Sequence, residues 1–418
     1  MGFTLQSLHL ANFRNHLVLD LHCADGCTVF VGANATGKSS LLEAMQLLSS
    51  FESFRASGWQ ELIMSDSEYC LIKARFVEDE RVHDVEMLIR DGKREFFFNG
   101  KKRRLADMRG IVPVVIFTPD DLGLVKKAGE QRRGFIDDIG RQLSGQYQKI
   151  HTDYAKILQQ RNSLLRDYQK GNLAALPASA EEKAWDDRLA DLGAALTVHR
   201  QRLFQRLMEQ ARLAFSQIDD SDVLTAEYIP SFLRREGERG EGRSEELEEG
   251  EREELHGERS GGSQAADAAA VSAAVTATAV SALAGVDLND TDSVKAAILQ
   301  ALAINRDREY ARGLTLVGPH RDELVFYVNG RDARYYASQG QQRTVALSLK
   351  IAEMKTIAEI SGNKPLLLLD DVFSELDGSR REKLITLTAL SGQCFATTTE
   401  FETLPAYFKN QSTIVRLT

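Results

Sequence analysis

The 418-residue sequence predicts an α/β fold in which a long helical segment separates two strand-rich parts. Three observations predict this fold. Short apolar runs near both ends of the chain are typical of strands. In the middle, apolar residues recur at spacings of three and four, which is typical of helices. A glycine-containing loop at residues 32–37 follows an apolar run and precedes a helical one, the strand–loop–helix order of an α/β sheet.

The first part of the chain is predicted to consist mainly of strands. Residues 5–10 and 17–21 alternate between apolar and polar side chains, and residues 27–31 form a continuous apolar run before the glycine loop. A helix is expected over residues 38–48. Asn99-Gly100 predicts a hairpin turn. Further strands are predicted at residues 69–77, 83–90, 95–98 and 112–117.

The middle and last parts combine helices with a long polar run. Helical spacing runs from residue 131 to 168 and resumes at 185–207, which predicts a hairpin with arms of about 30 residues each. Residues 234–262 are mostly Glu, Arg and Gly and are expected to be disordered, because they contain too few apolar residues to form a core. The last part predicts helices at 293–304, 341–359 and 378–390, and strands at 314–317, 324–328, 366–369, 394–398 and 413–417.

Composition excludes several classes of protein. The hydrophobic fraction of 43% and charged fraction of 27% are those of a globular protein. The four cysteines form no Cys-x-x-Cys pair, so neither a disulfide framework nor a zinc site is expected. Of the net charge of -9, residues 234–259 contribute -5 through 11 Glu and 6 Arg, so net charge is a poor guide to nucleic-acid binding. With no signal peptide and no membrane span predicted, even in the Ala-rich residues 265–284, a cytoplasmic location is expected.

Residues 32–39 read Gly-Ala-Asn-Ala-Thr-Gly-Lys-Ser, which fits the P-loop pattern in full. The glycines of such a loop let backbone N–H groups and a helix N-terminus face phosphate oxygens. Lys38 is expected to reach the β- and γ-phosphates, and Ser39 to bind magnesium. The pattern therefore predicts binding of ATP with Mg²⁺. The expected nucleotide-binding residues are Gly32, Ala33, Asn34, Ala35, Thr36, Gly37, Lys38 and Ser39.

Two acids follow the hydrophobic run Pro365 to Leu369. Side chains alternate along a strand, so Asp370 and Asp371 can take separate roles. Asp370 is predicted to hold Mg²⁺, and Asp371 to orient or deprotonate the attacking water. The alternative is that the acids cap the next element.

A second glycine-containing stretch, Ser338-Gln339-Gly340-Gln341-Gln342, precedes a predicted helix. Ser338 is a good N-cap and Gly340 permits a ligand to approach closely, so both are candidate nucleotide-binding residues. Taken alone, this stretch is more typical of an ordinary capped helix than of a nucleotide site.

The order of these motifs resembles that of ABC-type ATPase heads, with Ser338 and Gly340 in the signature position. More closely, the chain resembles the RecF family, the bacterial recombination mediators of DNA repair. The resemblance covers about residues 5–399 without the insert at 234–290. Besides the P-loop, it rests on Asn12-Phe13-Arg14-Asn15, Arg132-Arg133-Gly134-Phe135-Ile136-Asp137, Trp185-Asp186, Gly318-Pro319-His320-Arg321-Asp322 and Asp370-Asp371-Val372-Phe373-Ser374-Glu375-Leu376-Asp377.

This resemblance implies an ATP-dependent homodimer in which Ser338 and Gly340 of one subunit cover ATP on the P-loop of the other. It also implies binding to single-stranded DNA and to gapped or junction DNA, and recombinase loading with the mediators RecO and RecR. A role in DNA replication and the SOS response, and a nucleoid-associated location in the cytoplasm, are implied as well. The signature lacks the doubled glycine of transporters, and Asp371 stands where many ABC ATPases have Glu. A weak, DNA-stimulated ATPase that acts as a switch is therefore expected.

Two other functions fit the P-loop less well. The nucleotide-binding subunit of an ABC transporter would place the signature about 100 residues after the P-loop, whereas Ser39 and Ser338 lie about 300 apart in this chain. A chromosome-structural SMC-like protein would need a far longer coiled coil. Both alternatives therefore fit the sequence poorly.

DNA contacts are the least defined feature of the sequence. Three clusters could contact phosphates, or could equally be solvated charge runs. His320 and Arg321 are either part of a site or a turn stabilised by local bonds. The three clusters are Lys101-Lys102-Arg103-Arg104, Lys126-Lys127 and Arg132-Arg133.

Four segments are predicted. Residues 1–130 form the N-terminal part of the ATPase lobe with the P-loop, and residues 131–230 form a helical hairpin lobe. Residues 231–290 are an acidic and Ala-rich insert. Residues 291–418 complete the ATPase lobe with the signature and the acidic strand.

Overall fold

A computed structural model describes residues 2–56, 58–108, 110–171, 179–234 and 285–417. The chain divides into two compact units. The first comprises Met1–Lys149, Arg202–Glu227 and Leu324–Thr418, and the second comprises Ile150–Gln201 and Tyr228–Glu323.

A five-stranded parallel sheet forms the centre of the first unit. Its strands are β3 (Cys27–Val31), β8 (Val114–Phe117), β12 (Leu366–Asp370), β13 (Gln393–Thr398) and β14 (Ser412–Arg416). Their order is β14-β3-β13-β12-β8, and every neighbouring pair is parallel. Every residue of β3, β12 and β13 is buried, as expected of parallel strands covered on both faces. The carboxyl ends of β3 and β12, where the P-loop and the two acids begin, therefore meet at one edge.

An antiparallel sheet of six strands packs in the same hydrophobic core. Its strands are β1 (Thr4–Phe13), β2 (His16–His22), β4 (Tyr69–Glu78), β5 (Arg81–Arg90), β6 (Lys93–Phe98) and β7 (Lys101–Arg103). Their order is β2-β1-β4-β5-β6-β7, which leaves β2 and β7 at the edges. Asn99 and Gly100 both have positive φ and form the turn between β6 and β7.

Seven of the described helices lie entirely within the first unit. They are α1 (Lys38–Leu47), α2 (Leu105–Met108), α3 (Gly129–Leu143), α7 (Ala333–Tyr336), α8 (Gln339–Ser361), α9 (Gly378–Leu390) and α10 (Ala406–Gln411). Helix α8 is buried on most of its circumference, which identifies it as a core helix. It ends at Gly362, whose φ of 75° is the left-handed conformation that glycine adopts without strain.

Helices dominate the second unit. Two long helices, α4 (Gly145–Gln169) and α5 (Ser179–Ile218), are followed by α6 (Thr291–Arg312). Arg161 on α4 is buried and forms ion pairs with Asp186 on α5 at 3.0 Å and Glu309 on α6 at 2.7 Å. Three short strands form a further sheet in the order β11-β10-β9, and most of its residues belong to the first unit. They are β9 (Leu224–Ile229), β10 (Glu323–Val328) and β11 (Arg331–Asp332).

The helical hairpin differs from its prediction in two details. Helical structure from residue 131 is interrupted at Ser144, which is extended and accepts a hydrogen bond from the Tyr147 N–H at 3.2 Å. The break lets the Tyr147 ring pack closely against Gly140. The two helices α4 and α5 are also unequal, with 25 and 40 residues.

The strand predicted at residues 314–317 is wrong. These residues, all within the described part of the chain, lie in bends and irregular structure. Side chains take the place of a partner strand, since the Asn162 side-chain oxygen accepts from the Thr315 N–H at 2.8 Å and Glu309 accepts from the Leu316 N–H at 2.7 Å. Strands β7, β9 and β11 were not predicted; β7 is entirely basic and β11 has only two residues.

Most of the predicted acidic and Ala-rich insert, residues 235–284, lies outside the described residues. The division into four segments stays a prediction. Among the helices of the described residues, none combines the length and the apolar character needed to cross a bilayer.

Candidate functional site

The P-loop connects β3 to α1 in a conformation that depends on its glycines. Gly37 has a φ of 90°, and a Cβ there would lie 2.4 Å from His16 Nε2. A Cβ on Gly32 would lie 2.6 Å from the Leu417 carbonyl oxygen. Larger side chains are therefore excluded at both positions. The loop residues Ala33, Asn34 and Ala35 are exposed at the sheet edge.

Lys38 bonds to the backbone of the P-loop. Its ammonium donates to the carbonyl oxygens of Gly32 at 2.8 Å and Ala33 at 2.7 Å, and its side chain is buried. Both acceptors are uncharged, so a phosphate oxygen would be a stronger partner for this cation. The contact of Lys38 with the β- and γ-phosphates stays a prediction.

Ser39 and Asp370 come together across 331 residues of sequence. The Ser39 hydroxyl donates to Asp370 Oδ1 at 2.7 Å, and the Thr397 hydroxyl donates to the same oxygen at 2.8 Å. Thr397 lies on β13, the strand between β3 and β12. A hydroxyl and a carboxylate are oxygen ligands of the kind that Mg²⁺ prefers, so this pair fits the predicted metal site.

Asp371 follows β12 in a left-handed conformation with a φ of 50°, which is uncommon for a non-glycine residue. Its N–H donates to Thr397 Oγ1 at 2.9 Å, and its carboxylate accepts from the Thr399 backbone N–H. Burial and the neighbouring Asp370 raise the pKa of Asp371, while Lys38 and the Thr399 N–H oppose the shift. Its Oδ1 is buried without a hydrogen-bond partner among the described residues, so one acceptor remains for a water molecule or a metal-bound ligand.

The turn between β1 and β2 supports the P-loop from outside. Asn15 donates to the Ala35 carbonyl at 3.4 Å, and His16 Nε2 lies 3.3 Å from the Gly37 carbonyl oxygen. Arg14 forms two hydrogen bonds, at 2.7 and 2.9 Å, with the fully buried Glu43 of α1. The Asn-Phe-Arg-Asn motif therefore has a local structural role in positioning the loop.

The predicted signature forms the start of α8. Ser338 and Gln341 form a capping box, in which Ser338 Oγ accepts from the Gln341 N–H at 3.2 Å and Gln341 Oε1 accepts from the Ser338 N–H at 2.9 Å. Ser338 is exposed. A Cβ on Gly340 would lie 3.2 Å from Arg380 Nη2, so the glycine leaves room for this guanidinium.

The structure brings the predicted P-loop, Asp370 and Asp371 together at one edge of the sheet. The predicted signature residues Ser338 and Gly340 are not part of this group. Within the part of the chain that the structure describes, no hydrogen bond or ion pair joins Ser338 or Gly340 to the P-loop. Thr397 was missed by sequence reasoning, because a threonine inside a buried strand carries no motif. Only its position beside β12 reveals that it orients Asp370.

The three basic clusters differ in availability. Lys101, Lys102 and Arg103 form the edge strand β7, and all are exposed together with Arg104. Lys102 pairs with Glu95. Arg132, by contrast, is 3% exposed and donates to the carbonyl oxygens of Val125 and Lys127. The Arg132 guanidinium therefore supports the chain locally and is not available to a phosphate.

The turn at Gly318-Pro319-His320-Arg321-Asp322 is held by bonds within the second unit. His320 Nδ1 lies 2.7 Å from the Tyr154 hydroxyl, and Asp322 is fully buried and accepts from Tyr228 and from the Ser231 N–H. Gly318 has a φ of 134°. Of the two alternatives for this motif, the geometry favours a turn stabilised by local bonds.

Comparison with known proteins identifies the family. The model of the family described as "RecF/RecN/SMC N terminal domain" matches residues 4–415. A "DNA replication and repair protein RecF" from Heliobacterium modesticaldum is 34% identical over 94% of this chain and 92% of that protein.

Two solved structures are also similar. One is described as the recombination mediator protein RecF-ATPrS in the RecFOR pathway, and it has a TM-score of 0.78, 27% identity and coverage of 97% of this chain and 94% of that chain. The other, RecF-ATP of the same pathway, has a TM-score of 0.76 and 28% identity over 96% and 92%. The α/β fold of an ABC-type ATPase head is thereby confirmed, as is the resemblance noted in the sequence. The chain belongs to the RecF family of DNA replication and repair proteins.

Proposed function

We propose that the protein is an ATP-switched homodimeric clamp on DNA. One observation carries the proposal. The residues predicted to bind phosphate and Mg²⁺ lie together, and we call them the nucleotide half-site, whereas the signature residue Ser338 is exposed and, within the described residues, forms no hydrogen bond or ion pair with them. Ser39 and Asp370 are hydrogen bonded at 2.7 Å beside Lys38, whereas Ser338 is exposed at the start of a different helix. A second copy of the chain can therefore present its own Ser338 and Gly340 to the bound nucleotide. The two RecF structures described with ATP and ATPrS support a nucleotide at the P-loop.

Each residue of the half-site has a defined role in this proposal. Backbone N–H groups of residues 32–39 and Lys38 would bind the phosphates. Ser39 and Asp370 would hold Mg²⁺, which would neutralise charge on the phosphates. Asp371 would accept a proton from the attacking water, and its raised pKa makes it a better base than an ordinary aspartate. Weak ATPase activity, stimulated by DNA, would then reopen the dimer.

The exposed basic edge strand supports contact with DNA. Among the described strands, β7 has no neighbour on its outer side, and Lys101, Arg103 and Arg104 are exposed along it or directly after it. A row of cations can bind phosphates of single-stranded DNA and of gapped or junction DNA without reading the base sequence. The alternative is that the charges only prevent edge-to-edge pairing of strands.

Changing Lys101, Arg103 and Arg104 to Ala distinguishes these roles. If they bind phosphates, affinity for gapped DNA falls regardless of sequence, and the slope of log affinity against log salt concentration decreases by about 2 to 3. DNA titrations at several salt concentrations measure both. The matched control changes Lys183, Arg188 and Arg206 to Ala, three exposed cations that belong to none of the three basic clusters. An unchanged slope together with increased aggregation would indicate edge protection instead.

Asp371→Asn is expected to preserve ATP binding and to accumulate the closed dimer. The amide retains the shape of the carboxylate but cannot accept a proton, so hydrolysis should fall by about 100-fold or more. Phosphate release and sedimentation velocity with ATP measure the two effects. In the unsubstituted protein, the hydrolysis rate should also fall as the pH drops through the raised pKa of Asp371. Hydrolysis at the normal rate in the variant would show that another group activates the water.

The broader role follows from the family. We infer that the clamp acts with RecO and RecR at DNA gaps, helps to load recombinase and supports replication and the SOS response. Filter binding of the purified protein to gapped DNA, with and without ATP, tests the central step. ATP should strengthen binding, and equal binding in both conditions would contradict an ATP-switched clamp.

A further inference from the structure

A cluster of buried charges lies beside the nucleotide site but has no part in it. Lys350, on α8, is 5% exposed, as is Glu353 one turn further along. Lys350 Nζ lies 3.1 Å from Glu353 Oε2 and 3.4 Å from Asp121 Oδ1. Asp121 belongs to the 3-10 helix Pro119–Lys126, which follows β8. The Lys350 ammonium thus forms ion pairs with two carboxylates that belong to different helices.

The cluster borders a cavity of about 570 Å³. The cavity is also lined by Asp138 and Arg141 of α3, by Glu52, and by Asp370 at the sheet edge. Space beside a buried ion pair permits the groups to move relative to one another, which a close-packed core would not. The charges therefore lie between α8 and its neighbours at a place where the packing is incomplete.

Asp121 connects this cluster to the central sheet. Its Oδ2 accepts from the N–H of Thr118 at 2.8 Å and from the Thr118 hydroxyl at 3.0 Å. Thr118 directly follows β8, whose residue Phe117 pairs with Leu369 of β12. The next residue of β12 is Asp370. A continuous set of bonds thus leads from the metal-binding end of β12 to the middle of the helix that begins at Ser338.

We propose that Lys350 is a positioning residue, whose ion pair with Asp121 holds α8 in the position that presents Ser338 to a second copy of the chain, and that Glu353 competes for the same ammonium. The inference rests on the proposed function, because it concerns how the signature is placed. Lys350 itself touches neither nucleotide nor metal in this mechanism. Helix α8 transmits the constraint along the 12 residues from Lys350 to Ser338 as a rigid element.

Competition by Glu353 depends on its charge. Burial raises the pKa of Glu353 to about 7; Lys350 opposes this shift, while Asp121 and Asp138 add to it. Burial disfavours the charged amine of Lys350, but Asp121 and Glu353 outweigh it and raise the pKa of Lys350. Below about pH 7 a neutral Glu353 leaves the ammonium to Asp121 alone. Above about pH 7, an ionised Glu353 shares the Lys350 ammonium and repels Asp121. The ion pair between Lys350 of α8 and Asp121, which follows β8, is then weaker.

The test is ATP-dependent dimerisation as a function of pH. Sedimentation equilibrium with ATP at about pH 6 and about pH 8, on either side of the Glu353 pKa, should show about five-fold weaker dimerisation at the higher pH. The Glu353→Gln variant should dimerise as tightly at the higher pH as at the lower pH, because glutamine stays neutral. ATP affinity of the monomer, measured in parallel, should be the same for both proteins at each pH. Identical pH dependence of dimerisation in the two proteins would overturn the inference.

Lys350→Met in the Glu353→Gln background tests the lysine without leaving two unpaired acids. We expect at least about ten-fold weaker dimerisation at either pH, with ATP binding retained. Lys355→Met, on the same helix, is the control and should dimerise normally. Normal dimerisation of the Lys350 variant would overturn the inference, whereas absence of ATP-dependent dimerisation in the unsubstituted protein would instead contradict the proposed clamp.

Discussion

Lys38→Ala is expected to lower ATP affinity by about 10- to 100-fold, and with it to abolish ATP-dependent dimerisation. The ammonium supplies the only side-chain cation of the P-loop, and a charge-assisted bond to phosphate contributes about 1.5 to 3 kcal/mol. Within the described residues, the hydrogen bonds of this ammonium go to the carbonyl oxygens of Gly32 and Ala33. Isothermal titration calorimetry with ATP and Mg²⁺ measures the loss.

Stability should change little in this variant. The carbonyl groups released by the substitution belong to a loop with exposed neighbours, so water can replace the lysine. Lys126→Ala, at an exposed lysine of the same unit, is the matched control. ATP affinity that is unaffected by Lys38→Ala, with an intact fold, would contradict the assignment of the nucleotide site.

Ser338→Arg is expected to prevent dimerisation while leaving ATP binding by the monomer intact. No bond joins Ser338 to the P-loop in the described parts of the chain, so the monomer does not need it to hold nucleotide. Arginine removes the hydroxyl that accepts from the Gln341 N–H and places a bulky group at the start of α8. ATP should then no longer strengthen DNA binding, and only salt-sensitive contacts of the basic strand remain.

Ser338→Thr separates the two effects of the arginine. Threonine also caps helices, at nearly the same free energy as serine, and adds a single methyl group. We expect near-normal dimerisation of this control and a complete loss in the arginine variant, both measured by analytical ultracentrifugation with ATP. A Ser338→Arg protein that still dimerised on ATP and bound DNA normally would contradict a shared site.

Features that depend on a short stretch of sequence were predictable. The P-loop, the apolar run ending in Asp370 and the capped start of α8 each have a local pattern, because their chemistry needs particular residues at fixed spacing. The parallel strands were predictable for the same reason, since burial on both faces requires continuous apolar runs.

Features that depend on distant neighbours were not predictable. Thr397 orients Asp370 only because β13 lies between β3 and β12. In the sequence, Lys350 resembles an ordinary surface lysine, because its partner Asp121 lies more than 200 positions away and meets it only in the folded chain. Residues 314–317 have the apolar character of a strand, but side chains from α4 and α6 take their backbone hydrogen bonds.

The order of strands in the parallel sheet also has a consequence for biosynthesis. β3 lies near the N-terminus, yet both of its neighbours, β13 and β14, are the last strands of the chain. At a translation rate of about 5 to 20 residues per second, roughly 20 to 70 s pass between the synthesis of β3 and that of its first partner strand, β13. The antiparallel hairpins can form meanwhile, because their pairing is local. During translation, an apolar strand is therefore left unpaired, which makes the nascent chain a natural client for chaperones that bind extended segments.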